Sequence, residues 1–191
     1  YVIRQNPKVF AMENGTDTKY VDIIKQAYET DAKAGKFLMK NNFYLKRGPY
    51  DIVSVMNEGV SNDPYIISGP VIDLFDPKLP VLTKKVVEPG TQAFLYNISR
   101  IENKKAPKVL ASASRIYNEE IKGRSYAFIA KSPVNTINSM RIYLPSAPET
   151  TVVTDNKGEK IIAENSWDKQ SNTLYLGFDN SPDGIKVEVK W

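Results

Sequence analysis

No cysteine and no histidine occurs among the 191 residues. Disulfides, a thiolate nucleophile, an imidazole base and a zinc site of the usual His/Cys kind are therefore excluded. Hydroxyl, amine and carboxylate chemistry remain. Long apolar runs are missing too: no segment approaches the roughly 20 residues that cross a bilayer as a helix, and no charged-then-apolar leader opens the chain. A one-sided charge is likewise lacking. The 26 basic and 22 acidic residues leave a surplus of +4, and the cations are scattered, as at Lys84-Lys85 and Lys104-Lys105. A nucleic-acid stripe is not expected, and the charge reads as serving solubility. The start at Tyr1 without an initiator Met reads as a fragment or processed product.

What is present is a globular composition, 41% hydrophobic, 25% charged and 10% aromatic, with 11 tyrosines. It suits one large β domain or two small ones. The ending is the clearest segment. Ile185, Val187, Val189 and Trp191 are apolar while Lys186, Glu188 and Lys190 are charged, the alternation of an antiparallel strand with one buried face.

One helix is expected. After Asn14-Gly15-Thr16, either Asp17 or Thr18 can cap it, Val21, Ile24, Tyr28 and Ala32 recur at helical spacing, and Gly35 stops it. Its apolar face needs a cover, either the following sheet or a preceding domain.

From Lys36 onward, Gly, Pro, Asn and Asp clusters punctuate the chain at intervals that suit a β-sandwich or barrel. Strands are expected over 37–47, 50–56, 65–68, 71–75, 81–87 and 91–98. Beyond the polar, lysine-rich stretch 103–107 they are expected over 108–116, 125–131, 139–144, 151–154, 160–163, 173–178 and 185–191. Hairpin loops are expected at 155–158, 169–172 and 181–184. The organisation read from this is a helical lead-in over 1–35, a β-sandwich-like domain over 36–107 and a C-terminal β-sandwich domain over 108–191.

Several groups of residues suggest chemistry. Asp51, Glu58, Asp63, Asp73 and Asp76 form the densest acid cluster of the first half, and glycoside hydrolysis needs a carboxylate pair. Against that, Asp63 and Asp76 precede prolines in turns, Asp51 opens a strand and Glu58 sits in a polar loop, all ordinary surface uses. Asp155, Asn156 and Glu159 around Gly158 suggest a calcium loop, but EF-hand spacing is not met and a hairpin turn explains them, so no metal or cofactor is assigned. Ser112, Ser114 and Ser125 with Lys108, Lys122 or Lys131 would be the Ser/Lys route of a chain without histidine, yet no S-x-x-K motif stands in a suitable context. The sequons at Asn14 and Asn97 are short enough to arise by chance. Aromatic rings that stack on sugar faces are the remaining lead: Tyr50, Tyr65, Tyr117, Tyr143 and Trp167 are candidates, with Tyr143 and Tyr175 on the polar side of their strands and Trp167 beside a turn. Packing of each ring with its hydroxyl in water is the plainer use.

Two stretches carry a resemblance. Phe43-Tyr-Leu-Lys-Arg-Gly-Pro-Tyr-Asp-Ile-Val-Ser-Val-Met-Asn-Glu, with Gly69-Pro-Val-Ile-Asp-Leu-Phe-Asp-Pro-Lys-Leu-Pro-Val and Val87-Glu-Pro-Gly-Thr-Gln-Ala-Phe-Leu-Tyr, resembles the β-rich region after the catalytic domain of large exported glycoside-hydrolase-like proteins of gut bacteria. The ending from Trp167 to Trp191 is similar to the final strands of their C-terminal sandwiches. The resemblance implies an exported, non-catalytic accessory region whose partner is an upstream catalytic domain of the same polypeptide, with the helix near Tyr20 belonging to that domain's end. It transfers no catalytic residue. Three functions follow as expectations: an accessory scaffold, a carbohydrate-binding module using Tyr50, Tyr65, Tyr143 or Trp167 on a polysaccharide, and a hydrolase with a carboxylate pair.

Overall fold

The structure is a computed structural model and describes residues 1–6, 8, 9 and 16–191, which fall into two units, Tyr1–Lys40 and Asn41–Trp191. Asn14 and Gly15, the expected turn before the helix and the first sequon, lie outside the described residues.

In the first unit, helix α1 spans Thr16–Lys25 and continues as a π-helical turn over Gln26–Asp31. Asp17 and Thr18 thus lie within the helix, not ahead of it. The wide turn hands over through Ala32 N–H to the Ala27 carbonyl at 2.9 Å, and Gly35 takes a φ of +99° as the chain reverses. Phe37 then packs edge-on against Tyr28, ring centres 5.9 Å apart, and its N–H donates to Glu29 Oε1 at 2.8 Å.

The second unit is all β, built from three antiparallel sheets. The first holds β1 (Asn42–Arg47), β2 (Tyr50–Val55), β3 (Tyr65–Asp73), β4 (Val81–Val87) and β5 (Gln92–Asn97) in the order β1-β2-β5-β3-β4. It curls until β2 and β4, which share no ladder, approach each other. Val53, Val55, Ile67, Val71, Val87, Ala93 and Leu95 fill the inside of the curl. β3 is one strand where two were expected, because a bulge between Ser68 and Val71 absorbs Gly69-Pro70 without ending the pairing with β4. Gly69 is required there: a Cβ would sit 2.1 Å from the Leu82 carbonyl oxygen.

The other two sheets form a sandwich. One contains β10 (Thr150–Thr154), β13 (Ile185–Lys190), β8 (Ser125–Lys131) and β7 (Arg115–Lys122); the other contains β11 (Glu164–Asp168), β12 (Thr173–Asp179), β9 (Ile137–Tyr143) and β6 (Lys108–Ser112), each in that order. Tyr126, Phe128, Met140, Ile142, Leu174, Leu176, Val187 and Val189 interdigitate between them, with Trp191 closing the cluster. The expected alternation of β13 is observed: Ile185, Val187, Val189 and Trp191 are buried while Lys186 and Lys190 are exposed. The expected strand over 160–163 is reduced to one bridge between Thr154 and Lys160, and β11 follows it. Residues 108–116 break into β6 and β7, which belong to different sheets. The 169–172 loop is a hairpin joining β11 to β12. The 181–184 loop instead carries the chain from β12 in one sheet to β13 in the other. There Gly184, at φ +106°, passes where a Cβ would lie 2.8 Å from Ile129.

A third apolar cluster joins the five-stranded sheet to the sandwich: Ile72, Leu79, Tyr96, Ile98 and Ile101 pack with Leu110 and Tyr143. Arg141 reinforces this junction, donating through Nε and Nη2 to the Leu79 carbonyl at 3.1 and 2.7 Å.

Candidate functional site

Register across β1, β2 and β5 generates an apolar row on the outer face of the five-stranded sheet. Inward-facing Val53 and Val55 force Ile52 outward, where it stands opposite Leu45 on β1 and Phe94 on β5. Leu45 is 55% exposed, neighbouring Phe43 is 70% exposed, and Phe75 at the row's far end is 58% exposed. Phe94 is the hub, with its ring centre 5.3 Å from Tyr50 and 6.3 Å from Phe75. From Phe94 the row descends into a groove of about 500 Å³ where the sheet meets the sandwich, walled by Tyr50, Leu74, Pro77 and Ile137 and by the hydroxyl-bearing Ser112 and Ser139. A contiguous exposed apolar face of this kind marks an interaction surface more often than a chance of composition.

On the opposite face lies the densest polar constellation. Asp51 is 1% exposed. Its carboxylate accepts from Arg100 Nη2 at 2.7 and 3.1 Å, from Tyr44 Oη at 2.6 Å and from Asn97 Nδ2 at 3.1 Å. Burial works to raise the Asp51 pKa, but the hydrogen bonds from Tyr44, Arg100 and Asn97 and the guanidinium charge outweigh it and hold the carboxyl below its ordinary range. Asp73 stands across Leu95 from Asp51 in the register. It meets Lys85 Nζ at 2.6 Å and accepts from Phe75 N–H at 3.1 Å. Here the expectation of an ordinary surface acid fails for Asp51, and Asp73 is buried as well, because cations brought from Arg100 and Lys85 let both enter the sheet's buried surface. A glycosidase needs one carboxyl kept protonated by its surroundings. Asp51 is placed to stay ionised.

The remaining acids act locally. Asp76 Oδ1 accepts from Lys78 N–H at 2.8 Å, Glu58 is exposed in its loop, and the Asp63 carbonyl accepts from Asn41 Nδ2 at 2.8 Å. Asp155 Oδ1 accepts the N–H groups of Lys157 and Glu159, both at 2.8 Å, which accounts for the sequence of that turn. The Ser112 and Ser114 hydroxyls bond to Asn138 and Asn180, and that of Ser125 to Glu188, so no hydroxyl of the three is hydrogen-bonded to the ammonium of Lys108, Lys122 or Lys131.

The aromatic candidates do not share a face. Tyr50 lines the groove. Tyr65 packs beside the interior of the curled sheet and stacks on Tyr44, centres 5.6 Å apart. Trp167 is half-buried against the sandwich core, and Tyr117 is exposed on β7. Tyr143 is a correction: it is 5% exposed, and its hydroxyl donates to the Lys104 carbonyl at 3.1 Å. Tyr175 is buried as well. Both stand on the outer face of the β9 and β12 sheet, as the alternation predicts, but the five-stranded half lies against that face, with Leu79, Ile98 and Ile101 packed with Tyr143 and Lys78 over Tyr175. Phe94, which packs on Tyr50, and Phe75, which packs on Phe94, were missed by sequence reasoning. Their only signal was a period-2 pattern, which does not say which of two apolar faces remains open.

No protein-family model matches the chain, and no curated protein matches it. Among solved structures, it is similar to two of a GH31 dextranase of Flavobacterium johnsoniae, one a mutant complexed with isomaltotriose and one complexed with glucose. Identity is 11% and 12%, and the TM-scores are 0.37 and 0.36. Each match covers 88% of this chain and 28% of the dextranase chain, so the chain spans little more than a quarter of that protein's length. TM-scores of this size do not establish a common fold.

Proposed function

We propose that this chain is a non-catalytic β-sandwich accessory region of an exported carbohydrate-active protein, which braces a catalytic domain of the same polypeptide. The observation that carries the reading is the apolar row Leu45, Ile52 and Phe94, extended by Phe43 and Phe75, in which Phe43, Leu45, Ile52 and Phe75 are exposed and Phe94 is half-buried. Covering it would release apolar surface from water at about 25 cal/mol per Å². The engagement of Asp51 and Asp73 in internal ion pairs supports the absence of a hydrolytic centre. In the parent polypeptide, the double substitution Phe43→Ser and Leu45→Ser is expected to lower the melting temperature of the catalytic domain, while leaving that of the present chain unchanged. Equal melting of parent and variant would sink the bracing role. Release of reducing sugar by this chain, abolished by Asp51→Asn or Asp73→Asn, would establish a hydrolase instead.

A glycan-binding module is the second reading, favoured by the exposed Phe75 ring beside Phe94 and Tyr50 above a groove bearing the Ser112 and Ser139 hydroxyls. Affinity electrophoresis over plant and host glycans tests it. Retardation that Phe75→Ala removes would favour it over bracing.

A further inference from the structure

The turn between β1 and β2 and the connection between β5 and β6 enclose a second cavity, of about 520 Å³. Pro49, Ile101, Ala106 and Pro107 give it an apolar lining, and Arg100, Glu102 and Lys108 supply its charges. Arg47 adjoins the lining residue Gly48, and Lys104 and Lys105 lie between the lining residues Asn103 and Ala106. The lining and its immediate neighbours in the chain thus carry five cations, Arg100 and Lys108 in the lining and Arg47, Lys104 and Lys105 next to it, against Glu102 in the lining and Asp51, which pairs with Arg100. That surplus of three is most of the +4 carried by the entire chain.

Only Arg100 among the five is neutralised, by Asp51. Arg47, Lys104, Lys105 and Lys108 form no ion pair with any described residue. The loop that bears the two central lysines is held in place. Ile101 N–H closes the 3-10 turn on the Ile98 carbonyl at 3.1 Å, Lys105 N–H donates to Asn103 Oδ1 at 3.0 Å, and the buried Tyr143 hydroxyl donates to the Lys104 carbonyl at 3.1 Å. A pinned loop presents its charges with less ordering cost on binding than a free one.

We propose that this cavity docks an acidic polypeptide segment, a run carrying Asp or Glu beside an apolar residue. Charge complementarity sets the sign of the occupant, and the apolar lining beneath the cationic rim asks for an apolar side chain next to the carboxylates. At about 520 Å³ the cavity falls within the range of clefts that hold drug-sized ligands, larger than a single oxyanion needs. An anionic glycan fits less well, because Tyr96, the one aromatic in the lining, is itself buried and offers no ring face for a sugar. The inference does not rest on the accessory role.

Backbone amide shifts of the full chain, titrated with a short Glu/Leu peptide and with its Gln/Leu counterpart, test it. The Glu/Leu peptide is expected to give saturable shifts confined to Gly48, Glu102, Asn103 and Ala106, which fade as salt screens the rim, while the Gln/Leu peptide gives none. Lys104→Glu with Lys105→Glu is expected to weaken binding by about tenfold or more. Should that variant lose its native spectrum, Lys108→Glu serves in its place, since Lys108 is exposed. Shifts scattered over the whole surface, equal response to the Gln/Leu peptide, or insensitivity to charge reversal would overturn the proposal. So would tighter saturation of the same amides by oligogalacturonate, which assigns the cavity to an anionic glycan, or by inorganic phosphate, which assigns it to a small anion.

Discussion

The five-stranded half brings the carboxylates of Asp51 and Asp73 into its buried surface and answers each with a cation, whereas the sandwich answers its interior polar groups chiefly with neutral ones. In the sandwich, Ser114 Oγ donates to Asn180 Oδ1 at 2.7 Å and Asn180 Nδ2 to Thr136 Oγ1 at 3.0 Å. Asn138 Oδ1 accepts from Ser112, and its Nδ2 is the one buried side-chain donor among the described residues without a partner. The reason lies in how each half makes its interior. Two facing sheets seal the sandwich by themselves, with Phe128, Met140, Leu176 and Val187 fully enclosed. A single curled sheet has an open rim, and at that rim long cationic side chains such as Arg100 and Lys85 can lie over buried acids with their outer ends in water. The first half should therefore fail through its ion pairs and the second through its packing.

The largest effect is expected in the sandwich. Phe128→Ala removes a ring packed 5.2 Å from Tyr126, and the cavity should cost about 3–5 kcal/mol. Denaturant melts followed by tryptophan fluorescence report this half selectively, because Trp167 and Trp191 are the only tryptophans and both pack on its core. Far-UV circular dichroism reports both halves. If the cluster of Ile72, Tyr96, Leu110 and Tyr143 couples them, the two signals should move together. A fluorescence midpoint that drops alone would mean two independently folding halves divided near Pro107, as the sequence suggests.

Asp51→Ala is the counterpart in the first half. It strands Arg100, whose side chain keeps 22% exposure, so the cost should fall toward the lower end of the range for a broken buried pair, about 3 kcal/mol. The pH dependence separates the halves further. Asp51 has a folded pKa below its ordinary 3.8, so the stability it contributes is present above that value and is lost as pH falls through the folded pKa. Tyr126 in the sandwich behaves in the opposite sense. Burial first, and then its hydrogen bond to Glu119, raise its pKa above the ordinary 10.0, so its contribution is complete below that value and is lost as pH rises beyond it. Circular dichroism melts should thus show Asp51→Ala flattening the acid limb and Tyr126→Phe flattening the alkaline limb. A swap of those limbs would refute the contrast.

How legible each half was follows from how many of its faces are covered. β13 could be read residue by residue because only one of its faces is buried, so the alternation of Ile185, Val187 and Val189 survives in the sequence. β9 could not, since the sandwich core covers Met140 and Ile142 while the junction covers Arg141 and Tyr143, leaving a charged residue and a tyrosine buried against their ordinary preference. The acids were misread for a different reason. Asp51 finds Arg100 at a separation of 49 residues, and local spacing carries no trace of such a partner. The candidate groove was half visible: Tyr50 was in view, but Phe75 and Phe94 become a face only once β1, β2 and β5 are in register.

Arg141→Met probes the junction between the halves and should have a smaller effect. The guanidinium is buried without a carboxylate in hydrogen-bond contact; burial lowers its pKa, opposed by the nearby Asp168 and Tyr175. Met of similar length removes the desolvated charge but leaves the Leu79 carbonyl without its donor, a net loss of about 1–2 kcal/mol. The diagnostic readout is coupling rather than stability. Fluorescence and circular dichroism transitions that coincide in the parent chain should separate in the variant, and continued coincidence would assign the coupling to the apolar cluster alone.

Lys78→Ala is the smallest perturbation and the sharpest control. Lys78 also spans the halves, meeting Glu164 Nζ to Oε2 at 2.7 Å, but the two side chains are 65% and 60% exposed. Water screens such a pair, and holding two long side chains in one geometry costs rotamer freedom that largely cancels the attraction. Lys78 also lies over the Tyr175 ring at 5.7 Å, yet Arg141 occupies the same ring at 5.5 Å from within the buried junction. Removal of the lysine should leave both melting transitions where they were and still superimposed, at low and at high salt. Separation of the two transitions in Lys78→Ala at low salt, with none in Arg141→Met, would reverse the assignment and place the coupling of the two halves on their surface charges.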